Sequence, residues 1–413
     1  MTSAGGRPRG TWNTRLQQRE KFTVCINNNV SMYGGGITCL KELLANADDA
    51  KATHLTVCLD KSQYQTDGLL SDGMAVLQGL ALWVCNNAKF SSTDWENYTR
   101  NVGESAKAND SETIGEFGKG ALTAYSLGDV IQLLSGDCLL TLDPHGTHLP
   151  DQLESIFGNL VDPHDKHFVN VAHDHPGQLH PFMSFTNTCP SVHTLAQGKH
   201  YPGTLFRLAL RTQSAAQVSR ISGDSFTADS FLKTLSTFIQ IAPDLLLFTR
   251  HVKHISVYVK EAAEGPCKLI HECAAKYAFN VYSMISTSSD PQSVSISIQD
   301  ANETKTKRVW VKSTHPATAG RPGGGVAVLL QDDSSGNSQT LPTIAGLVYS
   351  IMALPLERTG LPVHINGGFR MSSDRRTLWT GEGNRGQVSY STTLQKLGFE
   401  CAAVAALHSS DAL

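Results

Sequence analysis

Glu42, Asn46 and Asp49 stand four and three residues apart in Glu42-Leu43-Leu44-Ala45-Asn46-Ala47-Asp48-Asp49-Ala50. On a helix they share one face. A carboxylate there can align a water, an amide oxygen suits Mg2+, and further acceptors suit an adenine amine. The same trio would serve equally as the exposed face of a structural helix. A second stretch, Ile114-Gly115-Glu116-Phe117-Gly118-Lys119-Gly120-Ala121, spaces glycines so that backbone can approach a ligand closely. The helix predicted from near Leu122 would aim free N–H groups and the positive end of its dipole at phosphate. Alone, this pattern is also that of a tight turn before a helix.

The elements that must hold these residues follow from apolar periodicity. Leu40, Leu43, Leu44 and Ala47 recur at helical spacing from Gly36 onward. Leu55–Leu59 alternates as a strand, and Leu80–Cys85 reads as a buried strand ending in Asn86-Asn87. Strands are predicted at 130–134, 139–142 and 203–210, a helix over 231–248, and a strand over 254–259. Residues 143–200 carry many histidines and little periodicity. Beyond 250, strands at 294–298 and 308–311 alternate with Gly-rich and Ser/Gly/Asp breaks. The expected division is a disordered arm over 1–21, a nucleotide-type domain over 22–250, a second domain over 251–390 and a tail over 391–413.

At 413 residues the chain can bury a large core. Charged residues are 17%, below the roughly 25% usual for soluble proteins, and the net charge of −3 gives no general pull toward nucleic acid or anionic membrane. No apolar run approaches the roughly 20 residues that span a bilayer, and no signal-peptide core is visible. Nine scattered cysteines without a CxxC pair fit free thiols in a reducing compartment, so a cytoplasmic protein is expected.

Taken in order, Glu42-x-x-x-Asn46-x-x-Asp49-Ala50, the strand end at Asn86-Asn87 and Gly115-x-Phe117-Gly118-x-Gly120 resemble the boxes of the GHKL ATPases, and in particular the sacsin-type repeat unit. The similarity extends to Val84–Phe90, Ser135-Gly136-Asp137, Leu142–His145, Tyr201–Arg207 and Thr359–Gly367, and covers roughly 34–385. The resemblance implies an α/β fold: an N-terminal Bergerat-type sandwich of helices over a mixed sheet, followed by a second α+β domain.

It also implies roles. Glu42 falls at the position of the water-activating base and Asn46 at that of the Mg2+-coordinating amide. Asp49 and Ala50 would line the adenine pocket with Asn86 and Asn87, and Thr204 would close its back. Asn101 and Lys107 would belong to a mobile lid. Gly115, Phe117, Gly118, Lys119 and Gly120 would wrap the phosphates. Arg375 or Arg376 would reach the γ-phosphate from the second domain; as residues alone, the pair could equally make interdomain salt bridges. The implied cofactors are ATP and Mg2+, and the implied partners are protein clients or co-chaperones, with a homodimer allowed and neither nucleic acid nor membrane expected. Many relatives place an aspartate where this chain has Asn86-Asn87, and the usual glycine turn after it is replaced by Ala88-Lys89-Phe90. The alternative to an ATPase is therefore a nucleotide-sensing interaction module that does not hydrolyse. His173-Asp174-His175 invites a metal reading, and so does His271 between Cys267 and Cys273; a solvated histidine loop accounts for the first as well.

Overall fold

Apolar runs rich in Val, Leu and Ile dictate the centre of the molecule, because strands buried on both faces need them along their whole length. The computed structural model describes residues 21–33, 35–100, 120–150, 153–160, 169–195, 200–279, 292–302, 304–315, 324–333, 344–350, 352–367, 369 and 377–378. The helices are α1 (Phe22–Tyr33), α2 (Gly36–Asp49), α3 (Ser92–Arg100), α4 (Val171–Asp174), α5 (Pro176–Thr188), α6 (Gln213–Val218) and α7 (Ala228–Leu245). The strands are β1 (His54–Asp60), β2 (Ala81–Asn86), β3 (Ile131–Gly136), β4 (Cys138–Leu142), β5 (Ser155–Asn159), β6 (Val169–Asn170), β7 (Tyr201–Ala209), β8 (His254–Lys260), β9 (Cys267–Phe279), β10 (Gln292–Asp300), β11 (Lys305–His315), β12 (Gly324–Asp332), β13 (Leu347–Ser350), β14 (Met352–Arg358) and β15 (His364–Gly367). All fifteen join one mixed sheet in the order β14-β13-β15-β12-β11-β10-β9-β8-β1-β2-β7-β3-β4-β5-β6.

The class is α/β, a large mixed sheet layered with helices. On one face Leu55, Val57, Val84, Phe206 and Leu208 pack with apolar residues of α1, α2 and α7 in the main core. On the other, Cys58, Trp83, Cys85 and Leu205 pack with Phe182 and Phe185 of α5. Trp83 stacks on Phe185 at 4.5 Å between centroids and meets Phe182 edge-on at 5.1 Å. Burying each such ring contributes roughly 1.5–3 kcal/mol. Here the sequence expectation was incomplete, since residues 143–200 contain α5. Its apolar positions are interrupted by His180, Pro181 and Ser184, so the helical period is faint in the chain and is supplied by packing on Trp83.

The helix predicted from near Leu122 is a short 3-10 helix, Gly120–Ser126. Leu127 N–H closes a three-residue bond to Ala124 O at 3.1 Å, and the Thr123 hydroxyl adds a side-chain bond to the Gly120 carbonyl at 2.6 Å. The boundary expected near 250 falls between α7 and β8. There β8 pairs parallel with β1, Leu55 opposite Ile255 and Val57 opposite Val257, so the sheet runs on through it. Among the described residues after α7 every element is a strand. Residues 1–20 of the expected 1–21 arm and the 391–413 tail lie outside the described residues. Among the described residues no helix is long and apolar enough to cross a membrane.

One pH response is built into the far part of the sheet. His364 on β15 stacks on Trp310 at 5.1 Å, and its Nδ1 accepts from the Leu347 N–H at 3.0 Å. Burial, and then the Arg308 charge, hold its pKa down from 6.5 to about 4. The unfolded chain takes a proton that the folded chain refuses, so this contribution is full above pH 6.5 and is lost as pH falls toward 4. Acidification from pH 8 to pH 5 should cost roughly 2 kcal/mol through this one group. Urea midpoints of wild type and His364→Gln should converge over that range; parallel pH profiles would exclude the effect.

Candidate functional site

The site is built on α2. Cys39, Leu40, Leu43, Leu44 and Ala47 are buried and fix the helix against the sheet, which leaves Glu42 and Asn46 half-buried on the adjoining face. Its start is set by Gly35, whose φ of +116° favours glycine, and by Gly36, where an added methyl would sit 2.8 Å from Thr234 Cγ2 on α7. Its end is held by Asp48. That side chain, fully buried, accepts from the N–H groups of Arg250 (3.0 Å), His251 (2.7 Å) and Val252 (2.9 Å). Asp49 lies 3.4 Å from the Arg250 guanidinium, with its own side chain 2% exposed. Ala50 caps the helix through its N–H to Asn46 O at 3.0 Å.

Glu42 and Gly120 come together directly. A methyl added at Gly120 would fall on Glu42 Oε2, and would stand 3.3 Å from its Cδ. The last glycine of the predicted phosphate turn is thus seated on the carboxylate of the predicted base. Cys39, one turn before Glu42, has its thiol pushed up to about 12 by burial and then by the Glu42 charge, with the Thr123 hydroxyl bonding it. Gly120→Ala should displace the carboxylate and slow any reaction it assists by about tenfold, since misplacement of about 1 Å can cost up to a hundredfold. Phosphate release measured beside wild type checks this; an unchanged rate would separate Gly120 from the site.

A second group crosses the sheet. Asn86 on β2 is in register with Thr204 on β7, and Thr204 with Ser135 on β3. Alternation along each strand puts this polar row on the α2 face, next to Val84, Phe206 and Leu133. Thr204 donates to Ala88 O at 2.7 Å, and Ser135 Oγ accepts from the Phe90 N–H at 2.9 Å. Asn86 Oδ1 accepts from the Ala88 N–H at 2.9 Å. The row therefore anchors the 88–90 loop. Asn87 turns the other way: its Oδ1 accepts from the Thr53 and His54 N–H groups at 2.8 and 3.2 Å, and its Nδ2 donates to Thr53 Oγ1 at 2.8 Å. Asn87 thus clamps the turn before β1.

From this loop Phe90 reaches Trp95 and Tyr98 of α3, at 4.9 and 5.8 Å. Tyr98 in turn lies 6.1 Å from Phe206. Burial, and then Cys39, push the Tyr98 phenol up. An aromatic group from the loop and α3 thus packs between the sheet and the neighbourhood of Cys39. Sequence reasoning assigned no role to Ser135, Phe90, Trp95 or Tyr98. The matches at Val84–Phe90 and Ser135-Gly136-Asp137 are the signals for Phe90 and Ser135; Trp95 and Tyr98 have none.

Asn101, Lys107, Gly115, Phe117, Gly118 and Lys119 lie outside the described residues, as do Arg375 and Arg376. Among the described residues no three His, Cys, Asp or Glu side chains group as metal ligands. His173 pairs with Asp174 at 2.7 Å, and His175 Nδ1 bonds Leu69 O at 3.0 Å. On α2 Asn46 is half-buried, one turn after Glu42.

Human (Homo sapiens) sacsin is 33% identical over 245 residues, 59% of this chain, which spans 5% of that protein's length. A crystal structure of the N-terminal domain of a DNA repair protein aligns over 93% of this chain and 99% of its own, with 10% identity and a TM-score of 0.37. The Sacsin domain family model matches residues 19–272. That match covers more than half of the 413 residues, and the chain belongs to the Sacsin domain family.

Proposed function

We propose that the chain binds Mg-ATP between α2 and the sheet and hydrolyses it slowly, passing the nucleotide state through closure of the 101–113 segment to a protein client or partner. The observation that carries this reading is the Glu42 carboxylate packed on Gly120. A γ-phosphate cradled by the turn that ends at Gly120 would lie beside that carboxylate. Glu42 would then hold the attacking water in line and accept its proton, while backbone N–H groups of the turn balance the oxygens. Asn46 would hold Mg2+, which when bound neutralises charge on the phosphates. Asn86 and Thr204 would face the base, in exchange for the bonds they now make to the 88–90 loop.

Titration calorimetry of the chain with ATP, with and without Mg2+, tests the reading. Saturable heat with Mg-ATP that shrinks without Mg2+ supports it. No heat at millimolar nucleotide, with the protein folded by circular dichroism, overturns both hydrolysis and sensing. The local use of the Asn86 and Asn87 carbonyls favours weaker adenine recognition, which is where a sensing module without turnover would stand apart: heat would be seen and phosphate release would not.

A further inference from the structure

The sheet's other face holds three thiols that the nucleotide reading does not use. Cys58 on β1, Cys189 at the C-terminal cap of α5 and Cys267 at the start of β9 are 0%, 2% and 7% exposed, in one cluster with Trp83 and Phe185. In sequence they are 131 and 78 residues apart, without a motif. The Cys267 sulfur packs in that cluster with Cys189 and Cys58. It is also 3.8 Å from the Thr188 hydroxyl.

A positive charge stands beside this group. Lys260, opposite Cys267 in the β8–β9 pairing, is fully buried. Its ammonium donates to Thr188 Oγ1 at 2.9 Å, Ala263 O at 2.7 Å and Gly265 O at 2.8 Å. All three acceptors are neutral, so an anion nearby is favoured, and Cys267 is placed to be one. Thiol donors at Cys189 and then Cys58, with Thr188 and the Lys260 charge, hold the Cys267 thiol well below its usual value, against the effect of burial. Its neighbours Cys58 and Cys189 are pushed the other way. A buried ammonium beside one of three packed thiols favours that thiol as the nucleophile and leaves a neighbour to resolve it. Cys267 also follows directly on the 261–266 hairpin, whose residues 261, 262, 264 and 266 are exposed.

We propose that Cys267 and Cys189 are a peroxide-sensitive pair that closes to a reversible disulfide. The Cys267 thiolate attacks the O–O bond of a hydroperoxide: an S–O bond forms, the O–O bond breaks, and the leaving oxygen takes up a proton to depart as alcohol or water. The Cys189 sulfur then attacks the Cys267 sulfenic sulfur. An S–S bond forms, the S–O bond breaks, and the hydroxyl leaves as water with the Cys189 proton. Two thiols are oxidised and one peroxide is reduced. The new bond ties the end of α5 to β9 and pins the turn 190–193 that follows Cys189. Ser191, Val192 and His193 of that turn line a cavity of about 220 Å³ together with Asn86 and Asn87. The bond would thereby stiffen the back of the strand end that carries the polar row.

The test is thiol mapping on the whole chain. Folded protein is treated with hydrogen peroxide, unfolded in alkylating reagent, digested without reductant and read by mass spectrometry. The expected product is a Cys189–Cys267 linked peptide two hydrogens lighter than the reduced pair, lost on adding dithiothreitol. Half-exposed Cys25 and Cys138 serve as internal controls for non-selective oxidation. In Cys189→Ser, a dimedone adduct should appear on Cys267, as it should not in wild type. In Cys58→Ser the linked peptide should persist. Thiols at 189 and 267 that stay alkylatable while Cys25 and Cys138 oxidise would overturn the proposal, as would a Cys58–Cys267 link in place of the expected one. The wild-type map decides the matter even if a variant fails to fold.

Discussion

Glu42→Gln should lower Mg-ATP turnover by about a thousandfold while leaving Mg-ATP affinity within about threefold of wild type. Glutamine keeps the size and the half-buried position of Glu42 against Gly120, so the wall on which the turn rests survives. What is lost is the ability to take a proton from water, and a positioned base contributes typically about 10²–10⁴-fold. The split between rate and affinity separates a base from a residue that merely shapes the pocket. A truncation such as Glu42→Ala would also remove the contact with Gly120, and its effect would mix the two. Phosphate release under single-turnover conditions reports the rate, and calorimetry the affinity. Equal rates for wild type and Glu42→Gln would remove hydrolysis from the reading, and binding alone would remain.

The elements that hold this residue are those most legible in the chain. For α2, apolar residues at helical spacing and a glycine start suffice, because the helix lies against one sheet face and its period is clean. β1, β2, β7 and β8 are legible as apolar runs for the same reason. Other features depend on partners far along the chain. The helix α1 contains Asn27-Asn28-Asn29, poor helix formers. Packing of Ile26 and Val30 in the main core and an Asn27 bond to Ile221 O at 2.7 Å hold it. The parallel pairing of β1 with β8 joins residues 200 apart, which no local pattern announces. At the site, residue types revealed Glu42 beside a glycine turn. They could not reveal that Asn86 and Asn87 spend their carbonyl oxygens on the backbone of neighbouring turns, since that depends on which way each amide points after β2 ends. Nor does any spacing rule bring Phe90 and Tyr98 onto Phe206.

Asp48 and Asp49 are adjacent in sequence and opposite in consequence. Asp48→Ala should destabilise the fold by about 3–5 kcal/mol, a large share of the roughly 5–15 kcal/mol available to a typical protein. Its carboxylate is fully buried and takes three backbone N–H groups of the 250–252 turn at 2.7–3.0 Å. Alanine would leave those donors without an acceptor, and each buried orphan costs about 1–3 kcal/mol before relaxation. Asp49 instead faces Arg250, whose side chain is 39% exposed, at 3.4 Å. A pair open to solvent on one side is worth about 1 kcal/mol or less. Urea unfolding at pH 7 should therefore move sharply for Asp48→Ala and little for Asp49→Ala. Similar midpoints for the two variants would contradict the assignment of the tether to Asp48. The distinction also decides how the proposed nucleotide site can be probed. The same tether fixes the end of the helix that carries Glu42 and Asn46, so loss of activity in Asp48→Ala would report a displaced α2. Loss in Asp49→Ala, on an intact fold, would report the pocket itself.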